Sequence, residues 1–384
     1  MRNPDDTEAV PMSLQVPVVW SEDCLRHEPG GEVWLGVRDP GTELPARALV
    51  LRDALAAAGA PIVPATKHGD EILRAVHDPL LLDHLAGSWR DWEAAGLPGE
   101  YGRDRVVPYV FPTPGMLAGL PMRSPPAVHA RAGRFCYDTM TLVGPGSWEA
   151  IRGAADAALT AAELIRDGQP LAYALCRPPG HHATRDAYGG SCYLNNAAIA
   201  AQALRTAGAS QVAVIDIDAH HGNGTQMIFY DRADVWYGSL HVDPGAGWFP
   251  HYAGYASERG SGAGAGFNRN VPLAPGTGDG EWLAALDRLC EEASTVAVDA
   301  VVVSLGLDAA AADPESPLQV TEAGYFAAGR RIAALGPAVL VQEGGYDLPS
   351  LGGLAVAAIE GAAAGAAAGI TIVGHRGLDR ETFG

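Results

Sequence analysis

The chain of 384 residues has few cysteines, no Cys-x-x-Cys pair and no long uncharged apolar run. Its cysteines are an odd, scattered set: Cys24, Cys136, Cys176, Cys192 and Cys290. This pattern excludes a cysteine-based zinc module and argues against a disulfide framework. A reducing compartment suits such a chain, so we expect a cytoplasmic location.

The chain also lacks a block of Lys or Arg, and its formal net charge is −19. Nucleic acids and anionic membranes both require a basic surface, so we expect neither as a partner. Two interpretations of the acidity stay open. It attracts a cationic substrate, or it serves only solubility.

Signals for secretion or membrane insertion are absent as well. Met1–Ser13 carries Asp5, Asp6 and Glu8 and has no apolar stretch after a basic flank, so we expect no signal peptide. The uncharged tract Gly361–Gly374 has only 14 residues, mostly Ala and Gly, which is too short to span a bilayer. We expect a packed terminal helix there.

What is present is a regular alternation of short apolar runs and alanine-rich helical stretches. The candidate strands are Val16–Trp20, Pro61–Pro64, Leu171–Cys176, Val212–Asp218, Val235–His241, Arg269–Leu273, Ala300–Gly306 and Ala338–Glu343. Between them, Trp148–Arg166 has apolar residues at helical spacing along one stripe. The alternation predicts an α/β fold with one parallel sheet and helices on both faces.

We find no repeat and no linker between these units, so we expect a single domain over residues 1–384. The exception is Pro98–Pro126, which has seven prolines in 29 residues and cannot be a regular helix or a central strand. We predict a long loop insertion. A lid, a pocket wall, an oligomer contact and a plain insertion all stay open.

The segment Val212–Gly224 carries the strongest chemical signal. A β-branched apolar run ends in Asp-Ile-Asp-Ala-His-His-Gly-Asn-Gly, so it delivers carboxylates and imidazoles at the carboxyl end of a buried strand. On an extended chain Asp218 and His220 leave the same side, with Asp216 one step deeper. Carboxylate plus imidazole is a zinc pair, and we interpret this segment as half of a metal site.

Other strand ends supply what this half-site lacks. Asp308 follows Ala300–Gly306 and completes three ligands with one position left open, the arrangement of a catalytic zinc. His181 and His182 follow Leu171–Cys176 behind rigid prolines and suit acid/base work. Tyr346 follows two glycines after Ala338–Glu343 and could donate a hydrogen bond to a developing oxyanion.

Five motifs stand in order along the chain: Arg177-Pro-Pro-Gly-His-His-Ala183, Gly190-Ser-Cys-Tyr-Leu-Asn-Asn196, Asp216-Ile-Asp-Ala-His-His-Gly-Asn-Gly-Thr-Gln226, Ser304-Leu-Gly-Leu-Asp308 and Glu343-Gly-Gly-Tyr346. Four other segments are Arg131-Ala-Gly-Arg-Phe-Cys-Tyr-Asp138, Pro145-Gly-Ser-Trp-Glu149, Ser239-Leu-His-Val-Asp-Pro244 and Gly266-Phe-Asn-Arg-Asn-Val-Pro-Leu273. The five motifs resemble the zinc-dependent histone deacetylase family, and the four segments most resemble its bacterial acetylpolyamine amidohydrolases. Their order and spacing make the resemblance specific. It implies the arginase/deacetylase fold, with eight parallel strands in one sheet.

The resemblance also implies roles. Asp218, His220 and Asp308 would hold Zn²⁺, although the sequence leaves Fe²⁺ open as the physiological metal. The metal would polarise an amide carbonyl and acidify a water. His182 would be the general base and then the acid, with His181 assisting, and Tyr346 would stabilise the oxyanion.

Further residues take supporting roles by the same resemblance. Asp216 would pair with His181, and Asn223 stands where some members place an aspartate behind His182. Gly190 would accept the substrate amide N–H through its carbonyl. A structural monovalent cation, K⁺, would bind Asp216, Asp218 and His220 through their carbonyls, together with Ser239 and Leu240.

Two departures from the family bear on the substrate. Phe249 matches one of the two rings that narrow the family's tunnel, but Ser191 stands at the other position, with Tyr188 as a candidate to fill the gap. Glu315 matches a gatekeeper glutamate for a distal ammonium in a polyamine-selective member. An exposed glutamate at a helix start is the alternative.

These observations predict a zinc amidohydrolase that removes acetyl or a related acyl group from a small cationic amine, with acetylated polyamines first. Alternatives are a lysine deacylase, a secondary-metabolite amide deacylase, an arginase-like two-metal hydrolase and an inactive amine-binding module. The Pro98–Pro126 loop resembles the insertion that builds a dimer in polyamine-specific relatives, so we expect a homodimer.

Overall fold

The computed structural model describes residues 14–373 of the chain. Met1–Ser13, where we expect no signal peptide, and Gly374, at the end of the apolar tract, lie outside these residues.

Ten strands are present in this part of the chain. In chain order they are β1 (Val18–Trp20), β2 (Glu32–Trp34), β3 (Val37–Asp39), β4 (Ile62–Pro64), β5 (Leu171–Ala174), β6 (Val212–Asp216), β7 (Val235–Val242), β8 (Asn268–Leu273), β9 (Ala300–Leu305) and β10 (Ala338–Gln342). Eight of them form one sheet in the order β4-β1-β5-β10-β9-β6-β7-β8, and every pairing in it is parallel. The predicted sheet is confirmed. The antiparallel hairpin β2–β3 was not predicted.

The eleven helices of the described chain flank this sheet. They are α1 (Pro45–Ala57), α2 (Glu71–Val76), α3 (Pro79–Ala94), α4 (Pro114–Leu117), α5 (Val128–Phe135), α6 (Ser147–Arg166), α7 (Asn196–Thr206), α8 (Asn223–Phe229), α9 (Asp279–Ser294), α10 (Glu322–Ala333) and α11 (Leu348–Val373). Successive strand residues face opposite sides. In β6, Ala213 and Ile215 join the core under α1, α9, α10 and α11, whereas Val212 and Val214 join the core under α3, α6 and α7. The sheet is therefore buried on both faces.

The strand ends differ from the prediction where the ligands begin. We expected Val212–Asp218 to be extended, but β6 ends at Asp216, and the Asp216 carboxylate then accepts a hydrogen bond from the Asp218 N–H (3.2 Å). Asp218 in turn accepts from the His220 N–H (2.9 Å). The shared direction of Asp218 and His220 therefore comes from two successive side-chain-to-backbone turns and not from a pleated strand.

Helix α6 confirms the predicted Trp148–Arg166 helix, but its buried surface is wider than one stripe. The predicted stripe comprises Ile151, Ala155, Leu159, Ala162 and Ile165. Four alanines outside it are also fully buried: Ala154, Ala157, Ala158 and Ala161. Small side chains let β1, β5, β10 and α7 approach the helix from several sides.

Residues 98–126 are mostly irregular, as predicted from their prolines. One helical turn, α4, interrupts them, with Pro114 at its first position, where a missing N–H costs nothing. The Val106–Val143 bridge ties the segment to the loop before α6. Several apolar side chains in this segment are exposed: Tyr101, Tyr109, Met116, Leu120 and Met122.

Helix α11 contains the tract for which we expected a packed terminal helix. By length and composition alone, its part Leu348–Ala368 could cross a membrane, with a mean hydropathy of 1.5. However, 56% of the 18-residue stretch that has this hydropathy is buried inside the protein, where α11 packs against α1 and α10. Ala362 and Ala366 belong to the core, as a packed helix requires.

Candidate active site

Strand order brings the ligand-bearing loops together. β5, β10, β9 and β6 are consecutive neighbours in the sheet, and all run in the same direction. Their carboxyl ends therefore meet at one edge, where α/β proteins place their sites. Each of the four predicted sequence motifs that follow these strands begins at that edge.

Asp218, His220 and Asp308 converge there. One ligand atom from each lies within 4.8 Å of the other two. His220 Nδ1 is 3.0 Å from Asp308 Oδ2 and 3.4 Å from Asp218 Oδ1. Backbone donors fix both carboxylates, because Ala219 N donates to Asp308 (2.8 Å) and Gly344 N donates to Asp218 (2.9 Å).

Two glycines make room for these carboxylates. A Cβ at Gly306 would lie 2.1 Å from an Asp218 oxygen. One at Gly344 would lie 2.6 Å from Asp308 and 2.8 Å from Asp218. Any larger residue would push the carboxylates apart, so both glycines are required by close approach and not by a turn.

The electrostatics of this cluster favour a bound cation. Burial and the neighbouring Asp218 raise the pKa of Asp308 to about 7. Burial alone would lower the pKa of His220, but Asp218 and Asp308 hold that pKa well above its usual range. Buried carboxylates facing one another need positive charge between them. A two-carboxylate, one-imidazole donor set suits Zn²⁺ or Fe²⁺ and leaves a position for a further ligand.

The tandem histidines lie beside this cluster in two different environments. His181 Nδ1 is 3.1 Å from the buried Asp216 carboxylate, which also accepts from the Tyr237 hydroxyl. Burial opposes protonation of His181, but Asp218 and Asp216 raise its pKa to about 10. Asp216 thus pairs with His181.

His182 has a neutral partner instead. Its Nδ1 lies 2.7 Å from Asn223 Oδ1, which can only accept, so Nδ1 carries the proton and Nε2 is the free base. Burial, together with His181 and His220, holds the pKa of His182 well below its usual range. The ring of Phe249 packs edge-on against His182, with centroids 4.7 Å apart.

Tyr346 lines the same cleft as His182 and His220. Its backbone N–H donates to Asp313 (2.6 Å), and the Arg47 guanidinium lies over its ring, 4.7 Å from the centroid. Burial raises the pKa of its phenol well above the usual range, despite Arg47, so the hydroxyl is kept as a donor.

A buried charged group beneath Tyr346 was missed by the sequence reasoning. Glu43 pairs with both Arg47 and Arg177 at 2.8 Å. Arg47 also donates to the carbonyls of Glu343 (2.7 Å) and Gly345 (2.5 Å). The turn that carries Tyr346 is therefore held from helix α1. No motif marked Glu43 or Arg47, because Glu43 precedes helix α1 and the two residues form no helical pair that a sequence pattern would show.

The cleft also contains the predicted substrate residues Gly190, Ser191 and Phe249, but not Tyr188. Tyr188 is fully buried, stacked between His84 and Tyr193. This placement removes Tyr188 as a candidate to fill the gap at Ser191.

The mouth of the cleft carries Glu315 together with residues that the sequence reasoning missed. Glu32, Thr42 and Met140 line it as well. The Thr42 hydroxyl donates to Glu315 (2.9 Å). Burial, and then the nearby Glu315, raises the pKa of Glu32 to about 7. Glu32 lies in the unpredicted hairpin, so no sequence pattern linked it to the site.

The residues expected to hold a monovalent cation include two members of the cluster, Asp218 and His220, and neighbours of theirs in the sheet. Asp216 of β6 is in register with Ser239 of β7, which precedes Leu240. In the turn after β6, the carbonyls of Ala219, His221 and Gly222 accept backbone hydrogen bonds. Those of Asp218 and His220 accept none from the described residues.

Comparison with known proteins places this geometry in a family. Residues 42–362 match the histone deacetylase domain. The chain is 42% identical over 345 residues to acetylpolyamine amidohydrolase 1 of Pseudomonas aeruginosa, covering 89% of this chain and 97% of that protein. It is 41% identical over 337 residues to the acetylpolyamine amidohydrolase of Mycoplana ramosa, covering 87% and 96%.

Solved structures agree. A crystal structure of acetylpolyamine aminohydrolase from Burkholderia pseudomallei matches with a TM-score of 0.85 and 40% identity, over 91% of this chain and 99% of that one. The HD domain of HDA15 matches with a TM-score of 0.73 and 30% identity, over 93% and 94%. The predicted arginase/deacetylase fold is confirmed. The chain belongs to the histone deacetylase family and is a deacetylase or amidohydrolase enzyme.

Proposed function

We propose that this enzyme is a zinc-dependent amidohydrolase that removes acetyl, or a related small acyl group, from cationic amines, with acetylpolyamines as the first substrate class. The observation that carries this proposal is a single cleft. Its floor holds Asp218, His220 and Asp308, its wall holds His182 and Tyr346, and its mouth holds a carboxylate pair.

Asp218, His220 and Asp308 would hold the metal. When bound, Zn²⁺ supplies Lewis-acid polarisation of the amide carbonyl and lowers the pKa of water. The glycine cradle and the excess of buried carboxylates support this assignment.

The protein's own groups divide the proton work. His182, with its Nδ1 proton held by Asn223, offers Nε2 as the base that accepts a proton from water and returns it to the leaving amine. His181, paired with Asp216, supplies positive charge beside it. The Tyr346 hydroxyl donates to the developing oxyanion. The Gly190 carbonyl accepts the substrate N–H.

Glu32 and Glu315 would select the cationic end of the substrate. The two carboxylates are close enough for Glu315 to raise the pKa of Glu32. An ammonium between them would relieve this repulsion. The net charge of −19 supports the same class of ligand, because it attracts polycations. Two acetylpolyamine amidohydrolases also match 89% and 87% of this chain.

A structural K⁺ is also part of the proposal. It would bind the carbonyls of Asp216, Asp218 and His220, together with Ser239 and Leu240. The Asp218 and His220 carbonyls, which accept no hydrogen bond from residues 14–373, support it, because buried carbonyls require a partner.

In this proposal residues 1–384 form one deacetylase domain in the cytoplasm, and residues 98–126 form a homodimer contact. The exposed side chains of Tyr101, Tyr109 and Met116 support the contact, because a partner would cover apolar surface there. Sedimentation of Tyr109→Ser against the matched control Tyr252→Ser tests it. A dimer that persists equally in both would contradict this role.

The substrate assignment is tested by steady-state kinetics. We expect kcat/KM on the zinc-loaded enzyme to be highest for acetylspermidine or acetylputrescine and lower for an acetyl-lysine peptide. The reverse order would favour a lysine deacylase. No turnover of any acyl amine by metal-loaded protein would leave an amine-binding module.

Acyl selectivity is tested at Ser191. Phe249 and the small Ser191 both line the cleft. With no second aromatic ring at position 191, we expect it to accept acyl groups larger than acetyl. Ser191→Phe should lower kcat/KM for bulky acyl amides more than for acetyl amides. Unchanged selectivity would contradict the wider cleft.

A further inference from the structure

The turn formed by Gly190 and Ser191 has an unusual backbone. Both residues are left-handed, with φ of 58° and 60°. Glycine adopts this conformation freely, but serine does so rarely. Ser191 therefore stays left-handed only because its surroundings hold it there.

Two side chains from a distant segment hold this turn. The Asp138 carboxylate accepts the Gly190 N–H (2.5 Å), and the buried Thr141 hydroxyl accepts the Ser191 N–H (2.9 Å). Thr141 also donates to Asp138 (3.1 Å), so the two acceptors are linked. The other Asp138 oxygen accepts the backbone N–H groups of Met140 and Thr141, at 3.0 and 2.9 Å.

The Gly190–Ser191 turn also packs against the rings of His182 and Phe249. A Cβ at Gly190 would lie 2.5 Å from His182 Cδ2 and 2.9 Å from Phe249 Cε1. The Gly190 backbone therefore forms the wall directly beside the ring of the proposed base. A rotation of the turn would either strike that ring or withdraw from it.

We propose that Asp138 and Thr141 are positioning residues for the scissile amide. By fixing two successive N–H groups, they keep the turn left-handed and hold the Gly190 carbonyl towards the substrate N–H. The inference rests on the proposed deacylase function. It concerns residues that no sequence motif assigned to the reaction and that act only through the turn.

A matched pair of variants tests this role. Thr141→Val removes the hydroxyl at nearly constant volume, whereas Thr141→Ser keeps it. Losing the hydrogen bond to the substrate amide weakens binding of the ground state and of the transition state equally. We therefore expect Thr141→Val to raise KM about tenfold, with kcat within about threefold of wild type. Thr141→Ser should stay within about twofold of wild type in both constants. Equal kinetics for the two variants would overturn the inference.

Amide hydrogen exchange supplies a readout independent of turnover. The peptide covering residues 188–193 should exchange faster in Thr141→Val than in wild type or Thr141→Ser, at unchanged Tm and metal content. Unchanged exchange in Thr141→Val would overturn the proposal. Wild-type protein inactive on all acyl amines would instead overturn the proposed function, and the role of the turn in amide binding with it.

Discussion

The floor and the mouth of the cleft are built differently. The floor carboxylates Asp218 and Asp308 follow central parallel strands and are almost completely buried, and each is fixed by a backbone N–H group. The mouth residues Glu32, Ser191 and Glu315 come from a hairpin, a turn and a loop, and are only partly buried. In the proposed function, the rigid sheet edge carries the chemistry and the loops carry substrate selection.

The largest expected effect is at the floor. Asp308→Asn removes one of the two carboxylates that share His220, so the metal affinity and the Lewis acid are both lost. We expect kcat/KM to fall at least about a thousandfold, with zinc content reduced by the same variant. The exposed Asp53→Asn is the matched control and should match wild type. Full activity of metal-free Asp308→Asn would refute a metal mechanism.

Tyr346 lies between the two regions, on the turn after β10 and lining the cleft. Tyr346→Phe would remove the proposed donor to the oxyanion and should lower kcat about 10²–10³-fold with little change in KM. Steady-state kinetics checks this, with Tyr252→Phe, an exposed phenol, as the control. A change confined to KM would show that the hydroxyl binds substrate and does not stabilise the transition state.

A buried histidine outside the floor predicts a pH dependence of stability. His77 is fully buried, contacts the carbonyl of Thr184 and accepts from Asn195 N, both at 2.9 Å. Burial lowers its pKa to about 4. The unfolded chain binds a proton below about pH 6.5 but the folded chain does not. Stability is therefore present above pH 6.5 and lost as pH falls towards 4.

We expect this loss to reach about 3 kcal/mol for His77. Urea unfolding between pH 7 and pH 4.5 measures it. His77→Gln should be less stable near pH 7 but should lose less on acidification, whereas the exposed His129→Gln should follow wild type. Parallel pH profiles for wild type and His77→Gln would assign the acid sensitivity to other groups.

The contrast also explains what the sequence could predict. All eight sheet strands followed from short apolar runs, and the positions of His181, His182, Asp218, His220 and Asp308 followed from the ionisable residues after three of those runs. The parallel direction of the strands then brings those ends together. Local patterns are sufficient for such a site, because its residues are close to strand ends along the chain.

The mouth could not be predicted in this way. Glu32 reaches Glu315 across 283 residues of chain, and Thr42 reaches it across 273. Asp138 and Thr141 hold a turn about 50 residues away. Contacts of this kind depend on loop paths, which periodicity does not encode. Tyr188 shows the converse, because its proximity to Ser191 in sequence suggested a cleft position, whereas its ring belongs to the core.

The most direct test of the separation between floor and mouth is the Glu32→Gln/Glu315→Gln double variant. The measurement is its kcat/KM for acetylspermidine and for an uncharged N-alkylacetamide. The account predicts that acetylspermidine loses about tenfold, equivalent to about 1.4 kcal/mol, while the uncharged amide stays within about twofold of wild type. An equal loss for both substrates, or none for either, would contradict it.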